Sequence, residues 1–370
     1  MYTIYVDGDL IYSPTLIDDG YYVVDPKINS ELNLISTFEF GLPVGAVGYN
    51  KIQRLKSIIK VYDDDVRVFM GRCLSDELDI NNQKNIYCEG ELGFLQDSVV
   101  GRYAFINLVS DYFKMLINNH NSQVEASKQF HIGEITVTVP AVPGAEAFIE
   151  RHSGEYLSTF DEINKQLLQT KLGGYLMPRY EIEDGVEVEY LDYLADSGGQ
   201  NSQVIELGVN LIDFAQKKDG QDIFTVIVPL GAVIDEGDEY NPETRLDISS
   251  VNDGKIYLEN AVGIATYGRI YKSVFWDEVN RADTLMALGL QTLAVGANII
   301  PQIELSAIDL HTLNVDVSAI KLGEYNRVIS VPHGIDTWLQ CVRQSIDLEN
   351  PEQSLYSFGV APRTLTGDFN

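Results

Sequence analysis

Along the 370 residues, apolar side chains recur sometimes every second residue and sometimes every third or fourth. Leu32, Leu34, Ser36, Phe38 and Phe40 share one side of an extended segment, opposite Asn33, Ile35, Thr37 and Glu39, the alternation of a half-buried strand. Ser57–Tyr62 and Val66–Met70 flank Asp63-Asp64-Asp65 and predict a hairpin with an acidic tip. A calcium loop needs spaced ligands, a central glycine and a closing glutamate, so the three aspartates read as a solvated turn. From Gly101 to about Gly133 the period changes. Phe105, Leu108, Val109, Tyr112, Phe113 and Leu116 predict an amphipathic helix that ends at Asn119, His120 and Asn121. Ile135, Val137 and Val139 then alternate with Glu134, Thr136 and Thr138 as a strand. Ser158 or Thr159 caps a second helix, with Asp161 and Glu162 in its first turn and Gly173-Gly174 as its stop.

For Arg179–Tyr190, a two-residue Asp184-Gly185 loop would mix apolar and charged residues on both faces. A three-residue loop, Glu183-Asp184-Gly185, pairs Ile182 with Val186 and gives one apolar face, so the three-residue loop is expected. Asp196–Ser202 reads as a linker. Glu206–Leu211 alternates as a strand, Lys217–Gly220 is turn chemistry, and Phe224–Val228 is a strand closed by Pro229. Asp235–Asp247 is an acidic loop, and Ile256–Leu258 a short strand. The best helix runs over 277–295, with apolar positions Val279, Ala282, Met286, Leu290 and Leu293. Further strands are expected at Ile303–Ile308, Val315–Val317, Arg327–Val331, Trp338–Val342 and Ser354–Phe358. The expected fold is mixed β with α+β insertions. A β domain spans 1–98, which about 203–232 could complete; an α+β insertion spans 99–202, and a second β domain with the 277–295 helix spans 233–370. No fixed-period repeat occurs, although strand-rich segments open and close the chain and leave room for a weak duplication.

Composition narrows the function classes. Hydrophobic residues make up 45% and charged ones 22%, the balance of an ordinary globular chain. The most apolar stretch, Leu285–Ile300, is broken by Gly289, Gln291, Thr292, Gly296 and Asn298 and is too polar for a membrane span. The N-terminus has no basic region followed by an apolar one, so no signal peptide is expected. Cys73, Cys88 and Cys341 are odd in number without CxxC spacing, and read as reduced thiols of a chain made in a cytosol. A net charge of −29 argues against nucleic-acid recognition, which needs cations against phosphates; solubility is the ordinary reading.

Catalytic signatures are missing. His120, His131, His152, His311 and His333 form no HExxH and no i, i+4 pair. There is no GxSxG elbow, phosphate loop or dinucleotide-binding loop. With 55 acidic residues, a glycosidase-like carboxylate pair carries no information. Trp276 and Trp338 with 21 tyrosines could make a sugar surface, though core and interface roles are commoner for such aromatics. No catalytic, cofactor-binding or metal-binding residue is assigned, and no cofactor is expected.

Three phrases carry a resemblance. Asn210-Leu211-Ile212 with Thr225–Gly231 is one. Leu322-Gly323, Arg327–Asp336 and Ile346–Pro351 form the second, and Tyr87–Leu92 the third. Together they span nearly the whole chain, and in chain order they resemble the siphophage tail-associated proteins of the tail tip, relatives of the contractile-phage baseplate hub and of the hub that precedes prophage tail endopeptidase modules. The resemblance implies a multidomain hub of two β-barrel-like domains with helical and α+β modules. It also implies a homotrimer whose barrels form a pseudo-sixfold ring, closing the tail tube and opening for DNA ejection. Its implied partners are the distal tail protein, the tape-measure protein and a receptor-binding or spike component. Its implied place is the virion tail tip, after assembly in the host cytoplasm. For such a tube, an acidic lumen would keep DNA from sticking. Longer members carry a lytic or fibre module after the hub; this chain stops at Asn370, shortly past its final strand, so no enzyme is expected. The alternatives are a cell-wall-degrading or carbohydrate-binding tail protein, and the same hub in a bacterial injection device.

Overall fold

A computed structural model describes residues 1–139, 148–170, 172–217, 223–235, 242–277, 279–296, 302–313 and 315–359. Strands β1 (Tyr2–Val6) and β2 (Asp9–Tyr12) open the chain. They meet at Asp7-Gly8, both with positive φ, 51° and 89°, the primed turn that suits strand twist. β3 (Val24–Glu31), β4 (Thr37–Leu42), β5 (Ile58–Asp63), β6 (Val66–Leu78) and β7 (Lys84–Gly90) follow. Phe38, Phe40, Ile59, Val61 and Ile4 point into one core. The strand expected over 32–40 begins only at Thr37. Asn33 takes a left-handed φ of 64°, and its amide binds Gly174 O at 3.0 Å and Leu176 N at 2.8 Å. The acidic tip is a turn, and the N-terminal amine sits on Asp63 and Asp64.

The middle of the chain forms its own core. β8 (Tyr103–Leu108) leads straight into α1 (Val109–Asn121). The helix therefore starts later than its apolar spacing suggests: Phe105 and Leu108 lie on a strand that pairs with β10 (Phe148–Ser153). β9 (His131–Ile135) is parallel to the second strand of the hairpin described next. α2 (Thr159–Ile163) begins where Ser158 Oγ accepts from Asp161 N at 3.0 Å, the expected cap. β11 (Tyr175–Glu183) and β12 (Val186–Leu194) pair Glu183 with Val186 and Ile182 with Glu187. The loop is thus the two-residue Asp184-Gly185, at φ 50° and 79°, and the three-residue expectation is wrong. Ile182 and Val186 are 70% and 64% exposed, so no core was there to favour a single apolar face, and the turn chemistry set the register.

The remainder returns to strands. β13 (Ile205–Glu206) stops at a turn through Gly208, and β14 (Leu211–Lys217) starts after it. The single strand expected over 206–211 is broken because buried Asn210 closes the turn, accepting from Glu206 N at 2.9 Å. The expected linker is tied down instead: Ser197 Oγ donates to Gly323 O at 3.0 Å and Asn201 to Ala319 O at 2.7 Å. β15 (Val226–Leu230) lies between β18 (Leu258–Glu259) and β19 (Tyr271–Phe275), while β16 (Val233–Asp235) pairs with β17 (Thr244–Arg245). α3 (Ala261–Tyr267) and α4 (Ala282–Gly296) complete this layer. α4 begins later than 277, since Asp277 is drawn off by Arg245. β20 (Gln302–Ala307), β21 (Tyr325–Ser330), β22 (Ile335–Asp347) and β23 (Leu355–Gly359) finish the fold. Val315–Val317 forms no strand. The turn after Lys217 and residues 236–241 of the acidic loop fall outside the described residues.

The protein is predominantly β, and its main sheet is open. Thirteen strands run β14-β20-β23-β22-β3-β4-β7-β6-β5-β1-β2, with β21 and β13 branching from β22. Among the described residues the sheet closes into no barrel. Its halves repeat one connectivity: β3-β4-β7-β6-β5-β1 in the first and β14-β20-β23-β22-β21-β13 in the second. Cys73 in β6 and Cys341 in β22 are equivalent. Each precedes a break in strand register, and each thiol donates to the carbonyl two residues on, at 3.6 Å. The halves differ where β1 runs antiparallel to β5 but β13 parallel to β21. They join where β22 pairs with β3, Ile346 opposite Ile28.

Candidate functional site

Where the first β layer meets the middle module lies an open groove of about 1220 Å³. Tyr5, Lys60 and Tyr62 form one wall, and Tyr180, Glu187 and Glu189 of the β11–β12 hairpin the other. Below it the two layers are joined by Arg67, whose side chain is only 3% exposed. Its guanidinium donates to Glu187 at 2.8 Å and to both oxygens of Glu189 at 2.6 and 2.5 Å, and lies 3.3 Å from Glu91. It also stacks on the Tyr180 ring at 4.2 Å. Lys60 and Tyr62 share Glu187, at 2.5 and 2.6 Å. A planar donor set suits several carboxylates at once. Arg72, on the same strand, repeats the arrangement with Glu89 at 2.7 Å and with Asp97.

These charges set unusual protonation. Burial pushes the Glu91 carboxyl up to about 8; Arg67 opposes the rise and the nearby Glu189 adds to it. Burial likewise raises Tyr62, helped by its bond to Glu187. Glu187 is held low because its bonds from Lys60 and Tyr62, with Arg67, outweigh the cost of burial. A carboxylic acid that keeps its proton near neutrality can serve as a general acid. Here Glu91 is tied to Arg67, with Glu189 and Lys60 near it. The arrangement holds two layers together.

Glu91 therefore binds a proton more readily in the folded chain than in the unfolded one. Between its ordinary value of 4.5 and about 8 the folded state holds more protons, so this contribution to stability falls as pH rises. Glu91→Gln is expected to remove a decline on the order of 2 kcal/mol between pH 5 and 8. Urea midpoints for both proteins across that range check it, and parallel curves would refute it.

The five histidines do not converge. His120 is fully buried, between Ser98 Oγ at 2.8 Å and Lys128 O at 3.0 Å, and burial lowers its pKa. A serine–histidine pair sealed from solvent, with its second nitrogen on a backbone carbonyl, has no access to substrate. His333 meets Ser330 Oγ at 2.7 Å and stacks on Phe214, while His311 binds Val317 O. Trp276 is buried in a core, whereas Trp338 is 41% exposed on β22; they make no common sugar surface. Among the described residues no group of three or more His, Cys, Asp or Glu could hold a metal ion. Among the described residues no helix is long and apolar enough to cross a membrane. The sequence reading passed over Arg67 and Arg72, although two arginines inside the apolar run Val66–Cys73 were the available signal.

The sequence profile of the prophage endopeptidase tail family matches residues 199–367. The matched region holds the second half of the sheet and its junction with β3. Solved structures extend the likeness to the whole chain. The 43 kDa tail protein of prophage MuSo2 from Shewanella oneidensis has a TM-score of 0.58 at 12% identity, covering 98% of both chains. The tail protein from Neisseria meningitidis MC58 has 0.59 at 14%, covering 97% of both. Prophage tail protein gp18 from Listeria monocytogenes EGD-e has 0.55 at 15%, covering 90% of this chain and 87% of its own. At these identities the shared property is the fold. No curated protein matches the sequence. The resemblance read from Asn210–Ile212, Thr225–Gly231 and Arg327–Asp336 is thus borne out at the level of phage tail-associated proteins.

Proposed function

We propose that the chain is a structural hub of a phage tail tip, with three copies ringing an axis, closing the tail tube and opening for DNA ejection. The observation that carries this reading is the end-to-end fold match to prophage tail proteins, over 97–98% of both chains in two cases. In the proposed hub, residues 1–98 and 233–370 supply two barrel-like domains and 99–202 an α+β insertion, while β13 and β14 sit on the second domain's sheet. Three copies then present six similar units to a sixfold tube. The distal tail protein lies above, the tape-measure protein within and a receptor-binding or spike component below. The acidic surplus lines the passage and repels DNA. Light scattering after size-exclusion chromatography should give three times the 41.3 kDa subunit mass, and particle images a ring with a central channel. A monomer at every concentration would refute the trimer.

A cell-wall-acting role is the alternative, because the matched family's description includes endopeptidase. Fragments released from peptidoglycan by the purified chain would favour it over the hub.

A further inference from the structure

Among the described residues, the repeated connectivity leaves the end of β6 and the outer edge of β14 without a partner strand. In the second half, β22 runs past the end of β21, and its residues Arg343–Asp347 pair with Lys27–Glu31 of β3. That junction includes Ile346 opposite Ile28, with Arg343 Nε donating to Glu31 at 2.9 Å. In the first half, β6 likewise runs past β5, whose pairing stops at Arg72. Ser75–Leu78 pair with β7 on one side only, and among the described residues no strand lies along their other edge. β14, the counterpart of β3, pairs with β20 and ends the sheet.

Strand register aligns these positions without adjustment. Cys73 faces Cys88, which faces Phe38, which faces Ile28. Cys341 faces Phe358, which faces Leu305, which faces Phe214. Phe214 is therefore the counterpart of Ile28. Leu78 lies as far beyond Cys73 as Ile346 lies beyond Cys341. The Ile346–Ile28 contact inside the chain thus has a ready equivalent, Leu78 against Phe214, that one chain does not make. Leu78 is 57% exposed and Leu74 39%, while Ile212 on β14 is 52% exposed.

We infer that Ser75–Leu78 of one copy pair antiparallel with Phe214–Lys217 of the next, placing Leu78 opposite Phe214 and Glu77 opposite Ala215. The occupant of each free edge is a second copy of this chain. Joints inside and between copies then alternate around the ring, each using the end of a long strand and the first strand of the following half. Open edges invite pairing, and a head-to-tail contact of this kind closes when its rotation allows. Asp76 and Glu77 beside the free edge discourage unspecific pairing before assembly.

The inference rests on the trimeric hub reading and is tested apart from it. In the Leu78→Cys/Phe214→Cys and Glu77→Cys/Ala215→Cys double variants, oxidised glutathione should drive disulfides between copies. Non-reducing gels would then show covalent dimers and trimers that dithiothreitol returns to single chains. Single-cysteine variants should stay single, because Cys73, Cys88 and Cys341 are buried. Phe214→Asp should convert the trimer to a monomer with an unchanged circular dichroism spectrum. A trimer by light scattering that neither double variant cross-links, and that survives Phe214→Asp, overturns the pairing and leaves the hub reading standing. A wild-type chain that stays monomeric overturns both.

Discussion

Replacing Arg67 with alanine should destabilise the protein by about 3–5 kcal/mol, the usual cost of removing one partner from a buried ionic cluster. The guanidinium serves Glu187, Glu189 and Glu91 together, and Lys60, at 2.5 Å from Glu187, is the other cation at this cluster. Without Arg67, carboxylates face one another behind the groove where desolvation already opposes charge. The loss should appear as a lower urea midpoint and as faster proteolysis of the β11–β12 hairpin, which the cluster holds against β5 and β6. Lowering the pH to about 5 should restore part of the stability, because protonation relieves the repulsion. Arg67→Lys should fall between, since an ammonium cannot reproduce the bidentate contact with Glu189. A change within about 1 kcal/mol, typical of solvated surface pairs, would show that water satisfies these carboxylates.

That cluster marks a boundary of what the chain reveals before folding. Local signals worked where local chemistry decided the outcome. Asp7-Gly8 made its turn, Ser158 capped its helix, and Phe224–Val228 supplied the strand that ends near Pro229. Arg67 finds Glu187 and Glu189 about 120 residues away, and nothing in either segment names the other. The β11–β12 register failed for a related reason: an apolar face was assumed to need a core, but Ile182 and Val186 are exposed while Glu187 and Glu189 face a buried cation. Phe105 and Leu108 matched the helical spacing of α1 by coincidence, since a strand brings a side chain to the same side every second residue. The duplication was visible only as strand-rich ends. Its content is in the pairing order, because the halves share positions such as Cys73 and Cys341 without sharing a sequence pattern around them.

Gly71→Ala tests the other place where backbone, more than side chains, sets the fold. Gly71 sits on β6 opposite Gly90 on β7, just before Arg72 and Cys73. A methyl group there would fall 2.0 Å from the backbone carbonyl oxygen of Glu89 and 2.8 Å from the Phe69 ring. A flexible side chain could turn away from such an overlap, but a carbonyl in a strand ladder cannot move without its strand. Overpacking commonly costs about 1–3 kcal/mol, and with main chain as the obstacle this substitution should cost at least roughly 3 kcal/mol. The displacement would also spread the neighbouring Arg72–Glu89 contact and the Cys73–Cys88 pair, loosening the seam between the first β layer and the middle module. Hydrogen exchange should show β6 and β7 opening first, while β21–β23 keep their protection because their own core is separate. Protection lost evenly across both halves would mean that the thirteen strands unfold as one unit.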